Sequence, residues 1–244
     1  MITEAINACF DIDGYTESER RITKSITGTY RIRLTKQPND LQFLGPFLRF
    51  DPGLHVLCMM RDPRDIVISK HGQQSEEFWS SLASWRLGLP YIEKFQSHPR
   101  FKVIRYEDLV SDPDSIQSDL KCWLPWLQEK FKFSQYHLVV KPLQDSVNAL
   151  NGVRPIASGS VGVWRNHYGR VKQQIAAHGS ISDGLIKYGY ETDNSWQDCL
   201  LDVEEEYTKS VRHEFPVPLS PTRIIRRHLG ALTKSLWRGL QQHI

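Results

Sequence analysis

The run Leu54-His55-Val56-Leu57-Cys58-Met59-Met60, closed by Arg61-Asp62-Pro63, constrains the fold most. It has the length of one strand and no polar alternation, so both of its faces must be covered. A strand covered on both faces belongs in a parallel sheet with helices on either side. Phe101 to Tyr106 is a second short, β-branched strand, Tyr30 to Thr35 alternates as a third, and His137 to Val140 reads as a weak fourth. Between them, Asn39-Asp40 caps a predicted helix through Leu48, and Asp62-Pro63 starts one running past Ser69. From Ser75 to about Phe95 the residues Phe78, Leu82, Trp85, Leu89 and Ile92 recur at steps of four and three, the stripe of a helix that faces a core. This alternation predicts an α/β fold, doubly wound, with a mainly parallel sheet flanked by helices.

Composition narrows the function. The 31 Lys and Arg against 28 Asp and Glu leave a formal charge of +3, evenly mixed, which argues against nucleic acid as a partner of the whole chain. The four cysteines are far apart, with no C-x-x-C and no His at ligand spacing, so no metal site is expected. Cys58 in an apolar run and Cys122 in an aromatic one read as buried thiols in a reducing compartment. The first residues lack a basic region followed by an apolar one, and no stretch approaches the roughly 18–20 residues of a membrane span. A cytoplasmic protein is expected.

Two units are expected: an α/β domain over 1–214, then a proline-rich linker and a basic amphipathic helix over 215–244. From Thr222 to Ile244 the helix carries Arg223, Arg226, Arg227, Lys234 and Arg238 with no acid, while Ile225, Leu229, Leu232, Leu236 and Leu240 form an apolar face. Such a helix packs on its own domain, docks onto a partner, or makes peripheral contact with an anionic membrane.

Several segments carry chemistry. The buried strand ends in Arg61, with Ser69 about two helical turns beyond; the carboxyl end of a parallel strand is where α/β sheets bind ligands. A guanidinium and a hydroxyl converging there suit a phosphate, whereas a surface pair of Arg61 with Asp62 or Asp65 is the plainer alternative. The second strand ends in Tyr106, placed to stack on a base or to close the core. The small-residue segment 154–162 leads into Val163-Trp164-Arg165-Asn166 and exposes backbone N–H groups of the kind that cradle phosphate.

Arg61-Asp62-Pro63-Arg64-Asp65 with Ser69, then Arg105-Tyr106-Glu107-Asp108-Leu109 with Asp112-Pro113, then Ser160-Val161-Gly162-Val163-Trp164-Arg165-Asn166, resemble the sulfotransferases that use 3′-phosphoadenosine 5′-phosphosulfate (PAPS). The motifs occur in the family's order over about residues 30 to 190, and their details are closest to its bacterial and Golgi-type branches. The resemblance implies the P-loop NTPase-like sulfotransferase fold. It implies that Arg61 and Ser69 bind the 3′-phosphate, that Tyr106 lies beside the adenine, and that Ser160 and Trp164 belong to a segment closing over the nucleotide. The strand Tyr30 to Thr35 before Lys36-Gln37-Pro38 is similar to the family's second strand and its Lys-x-Pro turn. Lys36 is the catalytic candidate there, neutralising charge as the sulfate bond breaks; no His stands beside it and no general base is identified.

The family's phosphosulfate-binding loop, with its preceding strand, has too few residues ahead of this turn. Lys24-Ser25-Ile26-Thr27-Gly28-Thr29 has fitting residue types but runs almost directly into the next strand, which leaves three alternatives: a fold truncated at its first strand, a divergent enzyme whose first segment is rebuilt, or a nonfunctional remnant. The implied activity is transfer of the sulfuryl group from PAPS to a hydroxyl or amine on a small-molecule, carbohydrate or peptide acceptor. A noncatalytic nucleotide-binding or interaction remnant of the same fold is the alternative.

Overall fold

The computed structural model describes residues 2–16, 19–24, 29–71, 74–141, 153–212 and 220–241. At its centre are β3 (Val56–Met60) and β6 (Phe101–Arg105), parallel and in register from Val56 opposite Phe101 to Met60 opposite Arg105. Alternation of side chains sends Val56, Cys58, Met60, Phe101 and Val103 to one face and Leu57, Met59 and Ile104 to the other.

Each face is covered by helices. The first carries α2 (Leu44–Phe50), reached through a 3-10 turn over Pro38–Phe43, together with α4 (Leu82–Phe95) and α10 (Pro221–Gln241). The second carries α1 (Ile2–Cys9), α5 (Tyr106–Ser111), α6 (Pro113–Trp123) and α7 (Tyr136–Val139). A third cluster joins α3 (Pro63–Val67) and α4 to α8 (Tyr168–His178), α9 (Ser182–Lys187) and the 3-10 turn Ser195–Leu200. Among the described residues the architecture is mixed α/β with short sheets and no closed barrel: β1 (Gly14–Tyr15) pairs in parallel with β2 (Arg33–Leu34), and β4 (Lys70–His71) antiparallel with β5 (Gln74–Phe78).

Several expectations are corrected. The helix from Ser75 begins only at Leu82, because Phe78 is drawn into extended pairing: its N–H donates to the Lys209 carbonyl and its carbonyl accepts from Val211. The remote Gln174 Oε1 then accepts the Leu82 N–H at 2.9 Å, satisfying the start of α4 from outside. The stripe itself is core, with Leu82, Trp85 and Ile92 buried. The helix begun by Asp62-Pro63 ends at Val67, so Ser69 lies beyond it at the entry to β4. Tyr30 to Thr35 shortens to β2, and Lys24 to Thr29 falls largely outside the described residues, as does most of the linker.

His137 to Val140 is not a strand. The 3-10 turn at Phe133–Gln135 runs straight into α7, which buries Tyr136 in the second-face cluster. All four cysteines are free, but Cys122 is exposed rather than buried; in α6 it points away from the buried Gln117 and Leu120. Among the described residues no helix is long and apolar enough to cross a membrane.

The C-terminal helix packs, but not by the face its leucines suggest. α10 lies on α2 through Ala231, Ser235 and Gly239, all buried, while Ile225, Leu229, Leu232, Leu236 and Leu240 are exposed. Small residues allow close approach: a Cβ on Gly239 would collide with the Phe50 carbonyl. Arg238 completes the contact, pairing with Asp51 at 3.6 Å and donating to the Ile22 carbonyl at 2.8 Å.

Candidate functional site

Register builds the site. Because Met60 faces Arg105, the next residues of both strands emerge side by side, and the Arg61 guanidinium lies 4.5 Å from the Tyr106 ring centroid. This is a cation–π contact at the carboxyl end of the parallel pair, where an α/β sheet presents its ligand crevice. Asp62 then caps α3, its carboxylate accepting the Arg64 N–H at 2.9 Å, and Pro63 occupies the first turn, where a missing N–H costs nothing. Across the strand ends, the Asp62 N–H donates to Glu107 Oε1 at 2.9 Å.

Arg64 is 1% exposed and holds the region together. Its guanidinium pairs with Asp62 at 2.7 Å and with Glu191 at 2.5 Å, and lies 4.0 Å from the Trp164 ring centroid and 4.9 Å from that of Trp196. Burial works against its charge, but the two carboxylates outweigh that and hold its pKa above the ordinary value. A charge so buried is tolerable because it is paired and hydrogen-bonded.

Asp65, fully buried, ties the late segment down by accepting the Gly162 N–H at 2.7 Å and the Trp164 N–H at 2.9 Å. Burial raises its pKa, and those N–H bonds oppose the rise. Gly162 has φ of 74°, a left-handed conformation that glycine adopts without strain, and a Cβ there would also meet Arg165. A third bond closes the arrangement: Arg61 Nη2 donates to the Ser160 carbonyl at 2.6 Å.

The Nε atoms of Arg61 and Arg105 are buried without a hydrogen-bond partner. A buried donor left unsatisfied costs about 1–3 kcal/mol, while the outer nitrogens of both groups donate to carbonyls, Arg61 to Ser160 and Arg105 to Gly189. Beside them, Arg105 lies 4.5 Å from the Tyr190 ring centroid, and burial together with the Glu107 charge pushes the Tyr190 phenol pKa up. Tyr190 therefore stays neutral at this edge.

The sequence candidates divide. Arg61, Tyr106 and Ser160 come together, with Ser160 contributing its carbonyl. Trp164 is 3% exposed and packs against Arg64, Tyr168 and Trp196. Ser69 is half-buried beyond α3, its N–H donating to Ile66 and its carbonyl accepting from Trp79. Lys36 is half-buried just beyond β2, its carbonyl accepting the Arg20 N–H at 3.0 Å, and the described contacts do not link it to Arg61.

Roles for Arg64, Arg105, Glu107, Tyr190 and Glu191 were not legible in the sequence, and Asp65, expected as a surface partner of Arg61, is instead fully buried. The acid-rich start of α3 was a usable signal for Asp65, since a carboxylate in a buried first turn needs donors from elsewhere. Nothing local marks Glu191, which stands 127 residues from its arginine. Among the described residues no group of three or more His, Cys, Asp or Glu is placed to hold a metal ion. No family model, no curated protein and no solved structure matches the chain.

Proposed function

We propose that the strand ends bind a 3′-phosphorylated adenine nucleotide and that the chain is a PAPS-dependent sulfotransferase. The observation that carries this reading is the pairing of Arg61 with Tyr106 at the carboxyl ends of β3 and β6. A phosphate oxygen would take a charge-assisted bond from the Arg61 guanidinium. The Tyr106 ring offers an aromatic face to adenine at the same place, and the Ser160 segment is tied to Arg61 and, through Gly162 and Trp164, to Asp65. Trp164 contributes by holding that segment, and Ser69 supplies a hydroxyl two residues past α3.

In the proposed reaction an acceptor oxygen or nitrogen attacks sulfur in line. The new bond forms as the bond from sulfur to the bridging phosphate oxygen breaks, and 3′-phosphoadenosine 5′-phosphate (PAP) leaves with the electron pair. The acceptor's proton passes to solvent or to a base that the reading does not assign, and Lys36 would balance charge on the departing oxygen. Positioning and electrostatics supply the rate, as in phosphoryl transfer. The acceptor is a hydroxyl or amine on a small molecule, carbohydrate or peptide, and the setting is the cytoplasm, in keeping with four unpaired thiols.

Calorimetric titration with PAP tests the reading. The chain should bind saturably, and Arg61→Ala should lose at least about tenfold in affinity, given about 1.5–3 kcal/mol for a bond to a charged group, with little change in melting temperature. A folded chain that does not bind PAP overturns it. Binding without sulfuryl transfer from PAPS to any offered acceptor supports the noncatalytic remnant instead.

A further inference from the structure

α10 inverts the usual arrangement of an amphipathic helix. It is docked by its small residues and Arg238, and its apolar ridge faces out along a helix about 31 Å long at 1.5 Å per residue. Ile225 is 58% exposed, Leu240 67% and Trp237, beside the ridge, 49%. A continuous apolar ridge of this kind on a domain surface marks an interaction site.

Charge selects the occupant. Residues 215–244 contain no Asp or Glu, and Arg223 and Arg226 are exposed near the ridge. Arg227 and Arg238 turn toward the body instead: burial chiefly disfavours their charges, with Arg21 and Arg223 adding to this at Arg227 and Arg33 at Arg238, while Asp40 and Asp51 oppose it. A second copy laid ridge to ridge would bring like-charged helices together without an acid on either. An anionic bilayer satisfies both features, taking the leucines and tryptophan at its acyl boundary and the arginines among its headgroups.

We infer that the outward face of α10, with Ile225, Leu229, Leu232, Leu236, Trp237 and Leu240 bordered by Arg223 and Arg226, docks the folded chain onto an anionic lipid surface. The inference does not depend on what the strand-end site binds.

Flotation of the full chain with vesicles tests it, using phosphatidylcholine alone and an equimolar mixture with phosphatidylglycerol. Binding is expected to the mixed vesicles only and to fall as salt screens the charges. Replacing Arg223 and Arg226 together by Gln should weaken it roughly thirtyfold, at about fivefold per charge. The double variant Leu229→Ser, Leu236→Ser should weaken it by about tenfold or more. Both variants carry exposed substitutions, and unchanged melting temperatures would confirm that they fold. Absence of binding by the folded chain overturns the inference, as does equal binding to phosphatidylcholine alone. A dimer in solution that the leucine variant dissolves would also overturn it, because a second copy would then cover the ridge.

Discussion

At the strand ends the chain buries charge, and on α10 it exposes leucine. Arg64 and Asp65 have almost no accessible surface, while a row of leucines and an isoleucine on the last helix faces solvent. Both reverse the default partition, and the energetics of the two reversals differ. Buried charges persist only when every partner is in place, so the strand-end network is an all-or-none structure. The exposed ridge is only partly covered by the rest of the chain, so it can change with little effect on the fold. The first region is specified by what surrounds it, and the second by what it would meet.

Substitutions can break or sharpen this contrast. The largest loss is expected from Arg64→Ala, which leaves Asp62 and Glu191 without their cation and removes the guanidinium packed between two tryptophans. Breaking a buried pair costs about 3–5 kcal/mol, to be read as a lower urea midpoint. The same change should weaken PAP binding through the loosened Ser160 segment. Next comes Gly239→Ala, which sets a methyl against the Phe50 carbonyl and forces α10 away from α2. A loss of about 1–3 kcal/mol in chemical denaturation would show that this helix is docked by its small face.

Gly162→Ala should cost about 1–3 kcal/mol from its left-handed backbone, and should reduce PAP affinity more than Gly239→Ala does. Equal effects of the two glycines on PAP binding would erase the proposed division between the regions.

A smaller effect is expected with pH at His55, outside both regions, whose ring meets Trp123 and Trp126 at 5.6 Å. Burial, with the Arg100 charge, holds its imidazole below the ordinary value of 6.5, against the Gly53 carbonyl and Asp51. The folded state therefore prefers neutral His55. Its contribution is present above pH 6.5 and is lost as pH falls through the lower folded pKa. Melting temperatures followed across that range should fall less steeply in His55→Phe. The smallest effect belongs to Leu229→Ser, within about 0.5 kcal/mol. A clear destabilisation there would mean that the ridge has an internal partner after all.

The central strands were legible because each declares itself locally. β3 is a bounded apolar run, β6 is β-branched and short, and Asp62-Pro63 is a helix start by its chemistry. Their parallel pairing followed from double-sided burial, and it accounts for the meeting of Arg61 with Tyr106. β5 was not legible, because the residues before α4 carry a helical period that pairing at Phe78 overrides. α7 failed for the complementary reason: four β-prone residues are too few to resist a preceding turn that buries Tyr136. Nor was the early end of α3 visible, although it sets where Ser69 stands.

The sequence by itself determined the α/β alternation, the strand that presents Arg61, and the acid-free amphipathic helix at the C-terminal end, since these follow from local period, capping chemistry and charge. Only the tertiary structure decided that Arg64 would bridge Asp62 and Glu191, that Asp65 would hold the Gly162 turn, and that α10 would turn its leucines outward. Those outcomes depend on groups remote in the chain and on which surfaces approach most closely. On α10 the small residues won that contest, because backbone can come nearest to backbone where a side chain is least in the way.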